Sequence, residues 1–212
     1  MKKFELTTDF IIFCGIKLFR IRALIEFSDV KAGEVGGYIE KEKNLSQLGE
    51  AWVSGNAKVF GNALVSGNTW ISGNATVSGN AEVSGNAKVS DNAWVSDNAW
   101  VSDKVWIFDN ATVSGNAEVF GNTWISDNAE VSDNAEVSGD ADYTTIKGFG
   151  KICRTTTFFR EKDRIAVRCG CFYGGLDDFR EKVKETYKDN KKGKEYLMIA
   201  DLMEYHFKKE EE

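Results

Sequence analysis

Residues 51–68 are AWVSGNAKVFGNALVSGN, three copies of a six-residue unit built from a small residue, a variable residue, Val, Ser or Phe, Gly and Asn. The unit continues without insertion to residue 140, which gives fifteen copies in which Thr, Ile or Asp replaces Ala, Val or Gly at several positions. Only Lys104, Val105 and Asp140 break a fixed position. Because a fixed period of this length dominates the chain, the repeat is expected to determine the fold.

Residue alternation within each unit predicts a short strand. The small residue and the Val or Ile lie on one side, and the variable residue lies on the other side with the Ser or Phe. The Gly-Asn or Asp-Asn pair that follows favours a turn, because these residues tolerate positive φ. Strand and corner therefore alternate, and the chain is predicted to coil. The absence of proline agrees with an uninterrupted backbone ladder.

The spacing resembles that of the hexapeptide-repeat family, in which an aliphatic residue recurs every six positions with a small residue two before it. Here the aliphatic positions begin with Val53, Val59, Val65, Ile71 and Val77 and end with Val137. The resemblance implies a mainly β fold, a left-handed parallel β-helix of about five coils with three hexads per coil. Residues 51–140 would form the helix, residues 1–50 an N-terminal capping region and residues 141–212 a C-terminal α+β domain.

The flanking regions contain their own predicted elements. Strands are expected around Phe10–Phe13 and Phe19–Phe27, and the segment FIIFCGIKLF at residues 10–19 is interpreted as buried strand because it is too short and too charged to cross a bilayer. In the C-terminal region we predict strands at Tyr143–Ile146, Thr155–Arg160 and Arg164–Phe172. Apolar residues at helical spacing predict helices at Leu176–Lys188 and Lys194–Lys208.

With three hexads per coil, outward residues eighteen positions apart stack on one face. One face collects four of the six tryptophans and defines a candidate binding stripe: Trp52, Trp70, Lys88, Trp106, Phe108 and Trp124. Exposed aromatic patches often mark interfaces, and Trp is a favoured anchor. Three roles stay open: contact with a second copy, contact with another protein, or a structural role in which the rings pack against one another across strands or lie beneath the chain's own terminal regions.

Acidic residues at the corners form a second candidate site. The chain has a net charge of −6, and residues 51–140 contain three Lys against eleven Asp and Glu. The corner aspartates stack in three columns and comprise Asp91, Asp97, Asp103, Asp109, Asp127 and Asp133. They either serve as turn residues that add solubility or imitate nucleic-acid phosphates toward a basic partner. Direct nucleic-acid binding by the coil is not expected.

Catalytic and metal-binding residues are not expected. The chain has a single histidine, His206, which is predicted to lie on the last helix, and its four cysteines form no C-x-x-C pair. The resembling fold includes acyltransferases that use a His and a loop protruding from the coil, and this repeat has neither. We therefore expect no enzyme activity, no cofactor and no metal, and a reduced, cytoplasmic protein without a membrane segment.

The wider sequence resembles uncharacterised hexapeptide-repeat proteins carried by prophages, through IRALIEFSDVKAGEVGGYIEKEKNLS before the repeat and GCFYGGLDDFREKVKET after it. This resemblance implies a mobile-element origin. We expect a homo-oligomer, a dimer or trimer, that binds a host protein or nucleoprotein and inhibits a nucleic-acid-binding defence complex in the manner of an anti-CRISPR protein. Two alternatives are a group-transferase, in particular an acyltransferase, and a structural component of a phage particle.

Overall fold

A computed structural model describes residues 2–208 and begins with an antiparallel hairpin. Strands β1 (Phe4–Phe13) and β2 (Ile16–Ala23) are joined by a tight turn, and β2 pairs with β3 (Val35–Ile39). The interpretation of residues 10–19 as one buried strand is wrong. The turn at Cys14 and Gly15, both with positive φ, divides the segment, and the exposed fraction of Ile12 is 63%.

Fifteen two-residue strands follow, one for each repeat unit, as the alternation predicts. Each contains the variable residue and the Val or Ile of its unit. In chain order they are Trp52–Val53 (β4), Lys58–Val59 (β5), Leu64–Val65 (β6), Trp70–Ile71 (β7), Thr76–Val77 (β8), Glu82–Val83 (β9), Lys88–Val89 (β10), Trp94–Val95 (β11), Trp100–Val101 (β12), Trp106–Ile107 (β13), Thr112–Val113 (β14), Glu118–Val119 (β15), Trp124–Ile125 (β16), Glu130–Val131 (β17) and Glu136–Val137 (β18).

Every third strand joins the same parallel sheet, so the repeat forms a β-solenoid with three sheets. The first sheet is β4-β7-β10-β13-β16, the second contains β5-β8-β11-β14-β17, and the third is β6-β9-β12-β15-β18. Parallel pairing extends back before residue 51, because Tyr38 of β3 pairs with Lys58 and Leu45 pairs with Val65. The solenoid therefore has about six turns, and β3, β2 and β1 extend its second sheet.

The interior of the solenoid consists of the small and branched residues of the repeat, which are almost completely buried. Buried Val and Ile side chains each contribute about 1.5–3 kcal/mol. At the corners the asparagine side chains bond to one another from turn to turn. Asn80 Nδ2, for example, donates to Asn98 Oδ1 at 2.9 Å, and Asn98 Nδ2 donates to Asn116 Oδ1 at 3.0 Å. These asparagine ladders add side-chain hydrogen bonds to the backbone ladder.

The N-terminal end of the solenoid is covered by residues outside the repeat. The Phe27 ring packs edge-on against Trp52, with 5.5 Å between ring centroids. Lys3 is buried beside them, and its Nζ donates to the carbonyl oxygen of Ala51 at 2.8 Å. Burial disfavours the ammonium form and lowers the pKa of Lys3 to about 8. The side chain of Lys3 thus donates hydrogen bonds to backbone carbonyl oxygens at the first turn.

The C-terminal region contains an antiparallel sheet and two helices. The strands are β19 (Tyr143–Ile146), β20 (Thr156–Arg160), β21 (Ile165–Cys169) and β22 (Phe172–Gly175), and the helices are α1 (Leu176–Tyr187) and α2 (Lys191–His206). The predicted strand Arg164–Phe172 is instead β21 and the first residue of β22, because the chain turns at Gly170, whose φ is +60°. Both helices were predicted, although α2 begins three residues earlier than expected.

One strand of this sheet separates two cores. Phe159 of β20 is buried with the last Val residues of the solenoid, while its neighbour Phe158 packs against α1 and α2. Glu130 donates its backbone N–H to Thr157 Oγ1 at 3.0 Å, and Arg168 pairs with the Glu130 carboxylate at 3.4 Å. The sheet therefore covers the C-terminal end of the solenoid, and the helices cover the sheet.

The helices of residues 2–208 include none that combines the length and apolar character needed to span a bilayer. All four cysteines are free thiols, and Cys14, Cys153 and Cys171 are exposed.

Candidate binding surface

Four tryptophans are exposed on the solenoid, and two of them lie together. Trp94 is on the second sheet and Trp100 is on the third, whereas Trp106 and Trp124 pair directly across adjacent strands of the first sheet. Their exposed fractions are 36% for Trp106 and 49% for Trp124. With Phe108, which lies two residues after Trp106 on the same outer face, they form the aromatic cluster.

The rings of the aromatic cluster are in mutual contact. The centroids of Trp106 and Trp124 are 5.2 Å apart in an edge-to-face arrangement, and Phe108 lies 5.3 Å from Trp106 and 6.2 Å from Trp124. Lys88, one strand below, places its Nζ 5.6 Å from the centre of the Trp106 ring. These contacts restrain the exposed rings, so that little side-chain entropy is lost when they are covered.

The predicted stripe is shorter than expected. Trp52 and Trp70 do stack below Lys88 in the first sheet, but Trp52 is completely buried beneath Phe27, and Trp70 is partly buried against the core. The expectation that Trp52 lies on an exposed surface is therefore wrong. Of the three roles left open by the sequence, coverage by the chain's own terminal region applies to the N-terminal part of the stripe.

A shallow depression of about 320 Å³ adjoins Trp124. Tyr143 donates its hydroxyl to the carbonyl oxygen of Trp124 at 2.7 Å, and Trp124 donates its backbone N–H to Asp140 Oδ1 at 2.8 Å. Burial raises the pKa of Tyr143, so the phenol remains a neutral donor. Neither Tyr143 nor Asp140 was among the predicted site residues. The replacement of the repeat's Asn by Asp140 was the available signal.

An acidic column borders the same face of the solenoid. It consists of Asp91, Asp109 and Asp127, which occupy one corner in three consecutive turns with φ between 57° and 59°. Asp109 directly follows Phe108 in the sequence, so the column lies at the edge of the aromatic cluster. Within residues 2–208 none of the three carboxylates is in an ion pair. The column therefore adds unneutralised negative charge beside exposed aromatic rings.

Hydrogen bonds of the corner carboxylates support the structural role that the sequence allowed. Asp109 Oδ2 accepts from the backbone N–H of Asp127 at 3.3 Å, and Asp97 Oδ2 accepts from that of Gly115 at 3.1 Å. Asp103 accepts from Gly121 in the same way, while Asp133 is paired with Arg168 at 3.8 Å. All six aspartates are thus turn residues with positive φ, and Asp97, Asp103 and Asp109 also bond the next turn. The carboxylates of the acidic column have no ion-pair partner within residues 2–208.

Clusters of side chains suited to metal binding are not found in the part of the chain that the structure describes. No three His, Cys, Asp or Glu side chains of residues 2–208 converge in a way that could hold a metal ion. His206 is exposed at the end of α2, where its ring packs 4.9 Å from that of Phe207.

Comparison with known proteins finds a similarity within the repeat. Residues 57–73 and 70–85 match the family model described as YdcK Beta solenoid repeat. The matched residues form strands β5 to β9 of the solenoid, so they are similar to repeats of a β-solenoid in sequence as well as in architecture. No curated protein matches the chain.

Proposed function

We propose that this protein is a non-catalytic binding protein whose solenoid holds the aromatic cluster and the acidic column in fixed relative positions for a macromolecular partner. A rigid surface loses little conformational entropy on association, which favours affinity. The single observation that carries the proposal is the contact of Trp106, Phe108 and Trp124 at an exposed face that is bordered by unpaired carboxylates.

The chemistry of this surface favours a basic protein as partner. Trp side chains bury large apolar areas in interfaces and act as anchors, while the carboxylates of Asp91, Asp109 and Asp127 attract cationic side chains and steer association. A nucleic-acid-binding protein has such cationic grooves. We therefore propose that the partner is a host protein of a defence complex. Binding of this protein would inhibit the complex in the way that an anti-CRISPR protein does.

Three further features of the proposal depend on the resemblances found in the sequence. The solenoid is left-handed with five full coils from the repeat, the gene belongs to a prophage, and the protein acts in the cytoplasm of the host cell. The first follows from the hexapeptide-repeat pattern and the second from the regions that flank it. The third is supported by four free cysteines, which suit a reducing compartment.

Self-association through the same surface is the second candidate. Lys88 lies beside Trp106 on this face, and it offers a cation to the acidic column of a second copy. An interface of this kind would give a dimer or trimer in which the exposed rings are covered.

The test compares the wild-type protein with the double variant Trp106→Ser and Trp124→Ser. The matched control is Trp94→Ser with Trp100→Ser, which removes two equally exposed rings from the other sheets. Solution mass by light scattering identifies self-association, and capture from a bacterial lysate treated with nuclease identifies protein partners. We expect the cluster variant to lose the partner, or the oligomer, by at least about tenfold in affinity and the control to keep it.

Charge is tested separately with Asp109→Asn and Asp127→Asn. Binding to a basic partner should weaken in this variant, and wild-type binding should weaken as salt is raised from about 50 to 500 mM. Retention of every captured protein and of the oligomeric state by the aromatic-cluster variant would contradict the proposal.

A further inference from the structure

A cavity of about 270 Å³ lies in the C-terminal region, where the chain preceding β20 passes over the sheet and α1. Its apolar lining includes the rings of Phe149, Phe172, Phe179 and Tyr196 together with Val183. Phe179 packs edge-on against Tyr196 at 5.6 Å, so the aromatic wall is fixed by its own contacts. This cavity is remote in sequence from the aromatic cluster, and the proposed function does not use it.

The charged residues that line the cavity are all cationic. They are Lys151, Arg154 and Lys182, and no Asp or Glu is among the lining residues. Lys182 is paired with Glu185 at 2.7 Å, whereas Lys151 and Arg154 have no ion-pair partner within residues 2–208. An apolar pocket with a few polar groups at its rim is typical of a small-molecule site. The two unpaired cations specify an anionic group on the ligand.

Gly170 and Gly150 allow the segment that carries Lys151 and Arg154 to lie close to the sheet and to α1. A Cβ at Gly170 would collide with Nη1 of Arg154, so the absence of a side chain there allows the guanidinium to lie against β21 and β22. A Cβ at Gly150 would lie 2.8 Å from the Tyr187 hydroxyl, which also accepts a hydrogen bond from the backbone N–H of Lys151 at 3.3 Å. The segment that carries both cations is therefore held above the aromatic wall.

We propose that this cavity binds an aromatic monocarboxylate. Its ring system would pack against Phe172, Phe179 and Tyr196 in offset or edge-on contacts. Its carboxylate would accept hydrogen bonds from Arg154, which provides two parallel N–H donors, and from Lys151. The volume of about 270 Å³ limits the ligand to a small molecule, and Lys151 and Arg154 can share one carboxylate.

The first experiment is calorimetric titration with 2-naphthoate and with its neutral analogue 2-naphthylmethanol. We expect a dissociation constant on the order of 1 mM or lower for the carboxylate and binding at least about tenfold weaker for the alcohol. Arg154→Leu should weaken 2-naphthoate about tenfold, whereas Lys184→Leu, which removes a charge from α1 outside the cavity, should leave its binding unchanged.

A second variant tests the position of the ligand. Thr186 is exposed and lines the cavity from α1, so Thr186→Trp should close the entrance and abolish binding without changing the far-ultraviolet circular dichroism. Equal binding of the two probes, or unchanged binding in both Arg154→Leu and Thr186→Trp, would overturn the proposal. The absence of any heat with 2-naphthoate at millimolar concentration, supported by an unchanged NMR spectrum, would also overturn it.

Two thiols provide an internal control for the same site. Cys171 is exposed and lines the cavity, and Cys14 is exposed in the N-terminal hairpin. Saturating 2-naphthoate should slow alkylation of Cys171 by iodoacetamide several-fold and leave the rate at Cys14 unchanged. Equal rates at Cys171 with and without 2-naphthoate would contradict binding in this cavity.

Discussion

The asparagine ladders are interrupted at one corner of the solenoid. Asn68 Nδ2 donates to Asn86 Oδ1 at 3.1 Å, but the next rung is Lys104, which separates Asn86 from Asn122. Lys104→Asn should complete this ladder with up to two new hydrogen bonds between side-chain amides, to Asn86 and to Asn122. We expect the free energy of unfolding to rise by about 0.5–1.5 kcal/mol, measured by denaturant titration.

The matched control for this change is Lys104→Ala, which removes the charge without adding an amide. A similar gain in both variants would mean that the loss of the lysine is responsible, and not the ladder. The Lys104 backbone needs no adjustment for the substitution, because its N–H already donates to Gly121 at 2.9 Å, like the asparagines at the equivalent corner positions.

Residue-level reasoning placed the solenoid side chains on the correct faces, because the period of six determines which residues stack. It failed at Trp52, whose exposure depends on Phe27 and Lys3, two residues outside any repeat. A covering contact from a non-repeating segment has no periodic signal. For the same reason the sequence could not identify Tyr143 as a neighbour of Trp124.

Strand β20 is the element that joins the two cores, because its consecutive residues Phe158 and Phe159 face in opposite directions. We expect either substitution by alanine to cost about 3–5 kcal/mol of unfolding free energy where the cavity cannot collapse. The elements that are destabilised should differ between the two variants. Phe159→Ala should speed amide hydrogen exchange in β17 and β18, and Phe158→Ala should speed it in α1 and α2.

The two phenylalanine variants serve as controls for each other. If both increased exchange in the same elements, β20 would not separate the solenoid core from the helical core. Exchange in β4 to β9 should remain unchanged in both variants, since β20 contacts the solenoid at its last strands, β17 and β18.

Element prediction succeeded where local pattern decides the structure. The two-residue strands, β19 and α1 follow from alternation or helical spacing. The acidic first turn of α1 also has its expected role, because Asp178 accepts a hydrogen bond from the backbone N–H of Gly175 at 2.9 Å. Element prediction was incomplete for the N-terminal region, because the predicted strands did not include Val35–Ile39, which forms β3. Gly36 and Gly37 obscured the strand signal, although each is required where the backbone approaches Val53 or Ala57 closely.

The solenoid at the centre of the molecule is built from equivalent turns, and a turn can therefore be removed as a unit. Deletion of residues 69–86 removes β7, β8 and β9 and joins Asn68 to Ala87, which continues the pattern of the repeat. We expect a folded, cooperative protein with an unfolding m-value lower by roughly a tenth, because less surface is exposed on unfolding. Circular dichroism and urea titration would measure this.

Deletion of residues 69–77 is the control, because it removes one and a half hexads. Residues after the deletion that face inward in the wild-type protein would then face outward, and the reverse. This variant should not fold cooperatively. If it retained wild-type cooperativity, or if the deletion of residues 69–86 failed to fold, turn equivalence would not describe this solenoid.

Equivalence at eighteen residues also makes the solenoid a graduated spacer. Duplication of eighteen codons between the N-terminal hairpin and Trp106 would move the aromatic cluster away from that hairpin by about 4.8 Å, one strand spacing, and leave it facing the same direction. Duplication of six codons would instead turn the cluster onto another side of the rod. Length changes in steps of eighteen residues therefore adjust the distance alone, whereas steps of six change the direction together with a third of that distance.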